Sequence, residues 1–267
     1  MSAKLYIKKL LSGIGFEIFN KKLLEKADDS YFVLSKLLLD YEVRTIIDGG
    51  ASIGSNSLKL ANLFPKAFNH SIEPYPPFFQ KLSEISKIQK RVKPHQLAFA
   101  EKNGTTHLKI NKSEGTNSLL QNRLDSSAGF GKLLQNKGEI EVRSVTIDHF
   151  IESQFIEKVD ILKLDLQGYE LLAVEGCKKS LQQGKIKVIL CEIIIDKLSE
   201  NQPFGTTLIE KLVREFDFNF FNFFQPHHHH GRLIQFDALL IHSDLMVGVN
   251  NSSKESFHPY SKFPFQL

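Results

Sequence analysis

The sequence 44-RTIIDGGASIGSNSLKLANLF-64 decides the fold of this chain. Its apolar run 44–48 has the length of a buried strand, and residues 55–63 carry the periodicity of a helix. Between the two lie three glycines, at positions 49, 50 and 54. Glycine lets the backbone take a positive φ and lets a ligand approach the main chain closely. The stretch therefore predicts a strand–turn–helix unit whose turn holds a small cofactor.

Strand and helix patterns alternate along most of the remaining chain, which is typical of a parallel sheet with helices on both faces. The predicted strands are 68–73, 92–100, 159–165 and 187–193, and the predicted helices are 76–87, 168–184 and 205–216. A short link joins the last two strands, 218–224 and 233–243, which should therefore pair antiparallel. The predicted fold class is α/β, a mostly parallel sheet that ends in an antiparallel hairpin.

The segment 103–147 interrupts this alternation. Residues 103–110 predict a hairpin or meander strand, and residues 140–147 predict another strand with a short helix after it. Between them, residues 111–138 are rich in Gly, Ser and Asn and show little periodicity. We expect a long loop there, of the kind that often covers a binding site.

The composition indicates an ordinary globular protein, with 42% hydrophobic and 24% charged residues among 267. We predict a helical N-terminal extension (1–42), one main domain (43–243) and a C-terminal tail (244–267). The 34 basic and 30 acidic residues are scattered, so the net charge of +4 does not favour a nucleic-acid partner. Two cysteines form no disulfide framework, which favours a reducing compartment and predicts a cytoplasmic location.

The N-terminal segment is basic and apolar, but its apolar runs are short and interrupted by charges. A signal peptide is therefore not predicted. No run of about 18 apolar residues occurs, so no membrane span is predicted. A weakly amphipathic helix remains, and two interpretations of it stay open: packing against the main domain, and weak peripheral contact with a membrane surface. Its apolar side comprises Leu5, Leu10, Leu11, Ile14 and Ile18.

The second predicted strand ends in Glu73, 19 positions after Gly54. A carboxylate there can accept hydrogen bonds from both hydroxyls of a ribose, which favours an adenosine-containing cofactor. A dinucleotide requires the pattern G-x-G-x-x-G, but Ala51 occupies the position of the second glycine. Asp48 would repel a pyrophosphate and can organise a turn that faces the ammonium and sulfonium groups of S-adenosylmethionine. These two details favour methyl transfer, and a glycine-rich turn without a ligand remains an alternative.

Several segments together resemble the FkbM family of S-adenosylmethionine-dependent methyltransferases. They are IIDGGASIGSNSL, HSIEPYPPFFQKL, VTIDHFI, ILKLDLQGYELLAVEG and VILCEI, and the resemblance covers roughly residues 44–243. The most specific of them is the fourth-strand signature K-x-D-x-x-G-x-E. The resemblance implies a Rossmann-like class I methyltransferase fold with a seven-stranded sheet. It also implies O-methylation of a hydroxyl on a sugar, glycan or secondary metabolite, so that the partner is a small-molecule or glycan acceptor.

The resemblance also implies a set of cofactor-binding residues. Glu73 corresponds to the position that binds the ribose, and Ala98 to a position beside the adenine. The sequence departs from the usual motif only mildly, with Ser52 where asparagine is common. The full set of predicted cofactor-binding residues is Asp48, Gly49, Gly50, Ala51, Ile53, Gly54, Ser57, Glu73, Pro74, Ala98 and Asp165.

Three acids are candidates for catalysis: Asp165, Glu170 and Glu192. Asp165 ends the fourth strand, next to the first in this fold, and should lie near the sulfonium. It has three open roles: general base, orientation of the acceptor, or ligand of a divalent ion together with Glu170 or Glu192. Asp165 as a turn former and Glu170 as a turn-stabilising acid are the structural alternatives. Lys163 shares a face with Asp165, and an ion pair and catalysis are both open to it.

In the long loop, Asn117 and Ser118 are predicted to bind the acceptor, with solvent-facing polar residues as the alternative. The histidine run 227–230 does not have the spacing of a metal site, and a solvated hairpin link is expected. No metal site is predicted. Two other functions remain open, an NAD(P)-dependent oxidoreductase and a catalytically silent binding module. The oxidoreductase lacks a recognisable Tyr-x-x-x-Lys pair here.

Overall fold

The computed structural model of the protein describes residues 26, 28–123 and 133–246. The helices are α1 Ser30–Leu37, α2 Ser55–Leu63, α3 Pro76–Ile88, α4 Ile147–Ser153, α5 Glu170–Glu175, α6 Lys178–Gln182 and α7 Gly205–Glu215. The strands are β1 Thr45–Gly49, β2 Phe68–Ile72, β3 Val92–His95, β4 Ala98–Phe99, β5 Gly104–Asn111, β6 Asn136–Val145, β7 Val159–Leu164, β8 Ile186–Ile194, β9 Phe218–His229 and β10 Arg232–His242. A 3-10 turn spans Glu114–Thr116.

The main sheet has seven strands in the order β3-β2-β1-β7-β8-β10-β9. Its first five strands are parallel, and β10 runs antiparallel to both β8 and β9. The predicted α/β class, the mostly parallel seven-stranded sheet and the antiparallel hairpin at its end are confirmed. The strand order reverses at β1, which lies between β2 and β7. Ligands of open parallel sheets bind at such a reversal, beside the carboxyl ends of the strands.

Both faces of the sheet are covered, because alternate residues of each central strand point to opposite sides. On one face α1 and α2 pack against a row formed by Ile46, Ile161 and Val188. On the other face α4, α5, α6 and α7 pack against a row formed by Ile47, Leu162 and Ile189. These strands are apolar on both faces, as expected for a buried parallel sheet.

The predicted strand 92–100 is two strands rather than one. β3 forms the edge of the main sheet, whereas β4 belongs to a second sheet of order β4-β6-β5. The chain bends between them, where the amide of Leu97 donates to the carbonyl of His95 at 3.2 Å. The predicted strands 103–110 and 140–147 pair antiparallel in this second sheet, and the later one begins at Asn136, inside the predicted loop.

Two further predicted boundaries were wrong. The helix 168–184 is divided into α5 and α6 at Gly176, where an added Cβ would lie 2.6 Å from the carbonyl oxygen of Ala100. The close approach of that backbone ends α5. Strand β9 runs on to His229 instead of ending at residue 224, so that three of the four histidines lie in the strand and His230 in the turn.

The predicted domain limits stay a prediction, as do the amphipathic N-terminal helix and the tail beyond 246, which lie outside the described residues. Within the described part of the extension, α1 begins at Ser30 because Asp29 caps it, accepting hydrogen bonds from the amides of Tyr31 and Phe32. None of the described helices is long and apolar enough to span a membrane.

Candidate active site

The turn between β1 and α2 is fixed by its main chain. The amides of Gly50 and Ala51 both donate to the carbonyl oxygen of Ile72 at the end of β2, at 3.1 and 2.9 Å. Gly50 has a φ of +74°, and a Cβ added to it would lie 1.9 Å from the carbonyl oxygen of Asp165. Glycine is therefore required here by the approach of the turn to the end of β7.

Behind this turn lies a buried polar network centred on Asp48. Its Oδ2 accepts a hydrogen bond from the Ser57 hydroxyl at 2.6 Å, and its Oδ1 lies 3.1 Å from Nζ of Lys163. Lys163 also donates to the carbonyl oxygen of Gly50 at 3.3 Å. Burial alone lowers the pKa of Lys163, but the charges of Asp48 and Asp165 outweigh it and raise the pKa above its usual value. Of the two interpretations of Lys163, the structure shows the ion pair.

Glu73 follows β2 directly and is only 6% exposed. Its two carboxylate oxygens accept hydrogen bonds from the amides of Ser52 and Tyr75, each at 2.8 Å. These bonds fix the carboxylate at the mouth of the turn. Burial raises the pKa of Glu73 to about 7, against the lowering effect of the two amides.

A cavity lies at the carboxyl ends of β1, β2 and β7, with about 650 Å³ of empty space including its opening to solvent. It brings together seven of the predicted site residues: Gly50, Glu73, Pro74, Ala98, Asn117, Ser118 and Asp165. The rest of the cavity wall is formed mainly by apolar side chains and by the loop after β5. Those side chains are Ile72, Phe78, Phe99, Leu108, Leu119, Leu166 and Tyr169.

The other predicted cofactor residues do not line this cavity. Besides Asp48 and Ser57, they are the turn residues Gly49, Ala51, Ile53 and Gly54. Ala51 packs in a small apolar cluster with Leu82 of α3. Gly54 has a φ of +88°, and a Cβ there would lie 2.7 Å from Cδ1 of Ile85. Ile53 is 40% exposed. The contacts of Ala51, Gly54, Asp48 and Ser57 shape the turn, and their part in binding stays a prediction.

Asp165 stands at the end of β7 and faces the cavity. Its Oδ1 accepts a hydrogen bond from Nε2 of Gln167 at 2.7 Å, and its Oδ2 lies 3.6 Å from Nζ of Lys163. Gln167 has a φ of +54°, an uncommon backbone conformation for a residue other than glycine. The same Nε2 lies 3.1 Å from Oε2 of Glu192. Gln167 therefore connects the two acids.

Glu170 is buried and bonds to the main chain of the turn after β7. Its Oε1 accepts hydrogen bonds from the amides of Leu166 and Gly168, at 2.6 and 3.3 Å. Burial raises its pKa to about 7. Glu170 does not line the cavity. The structure thus shows the turn-stabilising role, and catalysis by Glu170 stays a prediction.

Glu192 lies one strand further along the sheet, and β10 places Asp237 directly opposite it. Its Oε1 accepts a hydrogen bond from Nε2 of Gln235 at 3.0 Å, so that both of its oxygens have glutamine partners. Burial raises the pKa of Glu192 well above its usual value, and the charges of Asp165 and Glu170 add to the effect. Glu192 lines a second cavity, of which Asp165 is also a lining residue.

In the loop after β5, Asn117 and Ser118 differ in their contacts. The carbonyl oxygen of the Asn117 side chain accepts from the amide of Asn111 at 2.9 Å, while its Nδ2 is buried without a hydrogen-bond partner among the described residues. The Ser118 hydroxyl donates to the carbonyl oxygen of Gln167 at 2.9 Å and ties the loop to the turn after β7. Asn117 thus retains a free donor in the cavity wall, and the proton of Ser118 is engaged.

Within the described residues, no cluster of three or more His, Cys, Asp or Glu side chains is arranged to hold a metal ion. Asp165, Glu170 and Glu192 therefore do not form such a cluster, nor does the described histidine run.

Sequence reasoning missed three residues of this region: Tyr31, Gln167 and Asp237. For Asp237 a signal was present, because Gln235 and Asp237 occupy alternate positions of the apolar strand LIQFDALLI. Polar residues on one face of an interior strand indicate a site beside that face. Nothing in the sequence near Tyr31 distinguishes it from a core residue of α1.

The sequence model of the Methyltransferase FkbM domain matches residues 48–228 of the chain. Among proteins with curated descriptions, none matches it in sequence.

Three solved structures are similar in fold. The methyltransferase FkbM from Methylobacillus flagellatus KT is 16% identical, with a TM-score of 0.47 over 75% of this chain and 44% of that one. Precorrin-6y C5,15-methyltransferase from Geobacter metallireducens GS-15 is 12% identical, with a TM-score of 0.44 over 80% of this chain and 87% of that one. Fibrillarin from Aeropyrum pernix, solved with natively bound S-adenosyl-L-methionine, is 11% identical, with a TM-score of 0.43 over 75% and 66%. The chain thus spans less than half of the first of these proteins.

Proposed function

Because the chain belongs to the FkbM methyltransferase family, we propose that it uses S-adenosylmethionine to methylate a hydroxyl group of a small polar or glycan-type acceptor. The family match supports methyl transfer as the reaction. The methyl donor, the oxygen acceptor and the residues that bind them are the proposal, and it is supported by the geometry at the ends of β1, β2 and β7.

The residues present fit an adenosine-containing donor. Glu73 is held by two main-chain amides with its carboxylate in the cavity wall, where it would accept from the ribose hydroxyls. Asn117 offers a buried Nδ2 without a partner in the same wall. A buried hydrogen-bond donor without a partner costs free energy. This amide therefore indicates that a bound ligand supplies a hydrogen-bond acceptor here. Pro74 and Ala98 would flank the base.

When bound, S-adenosylmethionine supplies a methyl group on a sulfonium sulfur, and its transfer to a hydroxyl oxygen leaves S-adenosylhomocysteine and one proton. Of the three candidate acids, Asp165 is the one that faces the cavity, since Glu170 bonds to its own turn and Glu192 to two glutamines. Gln167 and Lys163 fix its orientation. Asp165 would orient the acceptor hydroxyl and accept its proton.

The single observation that carries the proposal is the carboxylate of Glu73, fixed by Ser52 and Tyr75 at the mouth of a cavity that Asp165 also lines. The test is thermal unfolding with S-adenosylhomocysteine and, separately, with NAD⁺. We expect S-adenosylhomocysteine to raise the melting temperature by about 5–10 °C at roughly 100 times its Kd. Glu73→Ala should abolish this rise, whereas the exposed Asp40→Asn should retain it.

A rise with NAD⁺ alone would favour the oxidoreductase and contradict the proposal. Binding of S-adenosylhomocysteine without turnover of labelled S-adenosylmethionine on any hydroxyl compound would favour a catalytically silent module. No shift with S-adenosylhomocysteine at millimolar concentration would overturn the proposed donor.

A further inference from the structure

We propose that the second cavity is the acceptor site, in which Tyr31 and Asp237 bind a polyhydroxy compound that is neutral or positively charged. The inference rests on the proposed function, because it takes Asp165 as the place where donor and acceptor meet. It adds a location, two binding residues and a charge preference that the family match does not contain.

The second cavity has about 810 Å³ of empty space, part of it open to solvent. Its walls come from α1, the start of α2, and the sheet strands β7, β8 and β10. Of the described residues, Asp165 alone lines both this cavity and the first. An acceptor in the second cavity and a donor in the first would therefore both lie beside Asp165.

The Tyr31 hydroxyl and the Asp237 carboxylate in this cavity have no hydrogen-bond partner among the described residues. The Tyr31 side chain is only 7% exposed, yet none of the described residues hydrogen-bonds to its hydroxyl. The carboxylate of Asp237 likewise makes no hydrogen bond or ion pair with any described residue, although burial raises its pKa to about 6. A largely buried residue with a polar tip and a half-buried carboxylate both lose part of their hydration on folding, and a bound hydrogen-bond partner restores it. Both therefore indicate a ligand with hydrogen-bond donors.

The other charged side chains of the described cavity wall are already paired, which leaves Asp237 as the charge available to a ligand. Lys163 lies 3.1 Å from Asp48, and Lys59 lies 3.0 Å from Asp29. Glu192 accepts hydrogen bonds from Gln167 and Gln235.

This pairing sets the charge preference of the cavity. Hydroxyl and ammonium groups would satisfy Asp237. A phosphate or carboxylate on the acceptor would lie beside Asp237 and Asp165, and neither lysine of the described wall is unpaired to balance its charge.

The test measures equilibrium binding of three matched probes, glucosamine, methyl glucoside and glucose 6-phosphate, to the full chain saturated with S-adenosylhomocysteine. We expect glucosamine and methyl glucoside to bind, and glucose 6-phosphate to bind at least tenfold more weakly. Asp237→Asn should weaken glucosamine at least tenfold and reduce the discrimination against the phosphate. Tyr31→Phe should weaken all probes that bind, and the exposed Asp40→Asn, which does not line the cavity, should leave their binding unchanged.

Stability distinguishes a binding role of Asp237 from a structural one. Replacing the half-buried, unpaired carboxylate of Asp237 should preserve or raise the melting temperature, whereas loss of a structural group would lower it. The inference is overturned if Asp237→Asn leaves glucosamine binding unchanged, if the phosphate binds equally well, or if none of the probes binds. In each case, retained binding of S-adenosylhomocysteine would leave the proposed donor intact and assign the failure to the acceptor site.

Discussion

The ammonium of Lys163 lies 3.1 Å from Oδ1 of Asp48, and both side chains are buried beneath the turn between β1 and α2. The lysine also reaches the carbonyl oxygen of Gly50. One cation thus joins the neighbouring strands β1 and β7 to the turn that lines the first cavity. Since charges cannot be buried singly without a large desolvation cost, each of these two residues requires the other.

We predict that Lys163→Met destabilises the protein by about 3–5 kcal/mol, because it leaves the Asp48 carboxylate buried without its cation. Urea unfolding measures the loss. The double variant Asp48→Asn/Lys163→Met should recover at least half of it, because asparagine can still accept the hydrogen bond of Ser57 while carrying no charge. Equal stability of the single and the double variant would show that the ion pair does not organise the turn.

A second prediction concerns Gly50. Gly50→Ala places a Cβ 1.9 Å from the carbonyl oxygen of Asp165 at a φ of +74°. Gly231 has a similar φ of +76°, but a Cβ added there would have no neighbouring atom within 4 Å, so it provides a matched control for the backbone strain alone. We expect Gly231→Ala to cost about 1–2 kcal/mol and Gly50→Ala to cost clearly more in the same urea experiment. Equal costs would contradict the role of Gly50 in the approach to β7.

The convergence of Gly50, Glu73 and Asp165 could be anticipated from the sequence. Each follows a strand of a parallel sheet, and the carboxyl ends of neighbouring parallel strands lie at one edge. The strands themselves were predicted from apolar runs and their spacing, which are local properties, whereas the position of the fourth strand beside the first was implied by the family resemblance. These three residues line one cavity, and their function stays a prediction.

What could not be anticipated depends on contacts between distant segments. The second cavity places Tyr31 of α1 beside Asp237 of β10, more than 200 positions later in the chain. This relationship has no periodic or local signature, since it arises only when the sheet has assembled.

The third prediction is a pH dependence of ligand binding. The pKa of Glu73 is raised to about 7, mainly by burial, so that the carboxyl group takes up a proton as the pH falls through 7. The ionised form accepts hydrogen bonds from two ribose hydroxyls without losing an acceptor to its own proton. The Kd of S-adenosylhomocysteine should therefore rise as the pH is lowered from 8 to 6, by at most about tenfold per pH unit. Titration calorimetry measures it, and Glu73→Gln should bind weakly with no such dependence.

The fourth prediction concerns the half-buried pair His70 and His95, whose Nδ1 and Nε2 lie 3.1 Å apart. Burial lowers the pKa of both to about 4, and the second ring adds to the effect at His70. The unfolded chain therefore binds more protons than the folded one between pH 6.5 and 4, and stability from these groups is lost as the pH falls through that range. In urea unfolding, the free energy of unfolding of His70→Asn/His95→Asn should fall less steeply with decreasing pH than that of the wild type. The buried carboxyl groups are present in both proteins. The difference between the two pH dependences of the free energy of unfolding therefore gives the contribution of the histidines.

The last prediction separates binding from chemistry at Asp165. Asparagine can retain the hydrogen bond from Gln167 while removing the basic carboxylate, so Asp165→Asn should preserve the fold and change the Kd of S-adenosylhomocysteine by less than about threefold. A general base contributes about 10²–10⁴-fold to a rate. Because Asp165→Asn removes that base, kcat should fall at least about 100-fold. The measurement uses labelled S-adenosylmethionine with an acceptor found by screening, and Asp40→Asn serves as the control. A kcat above one tenth of the wild-type value would contradict the assignment of Asp165 as the base.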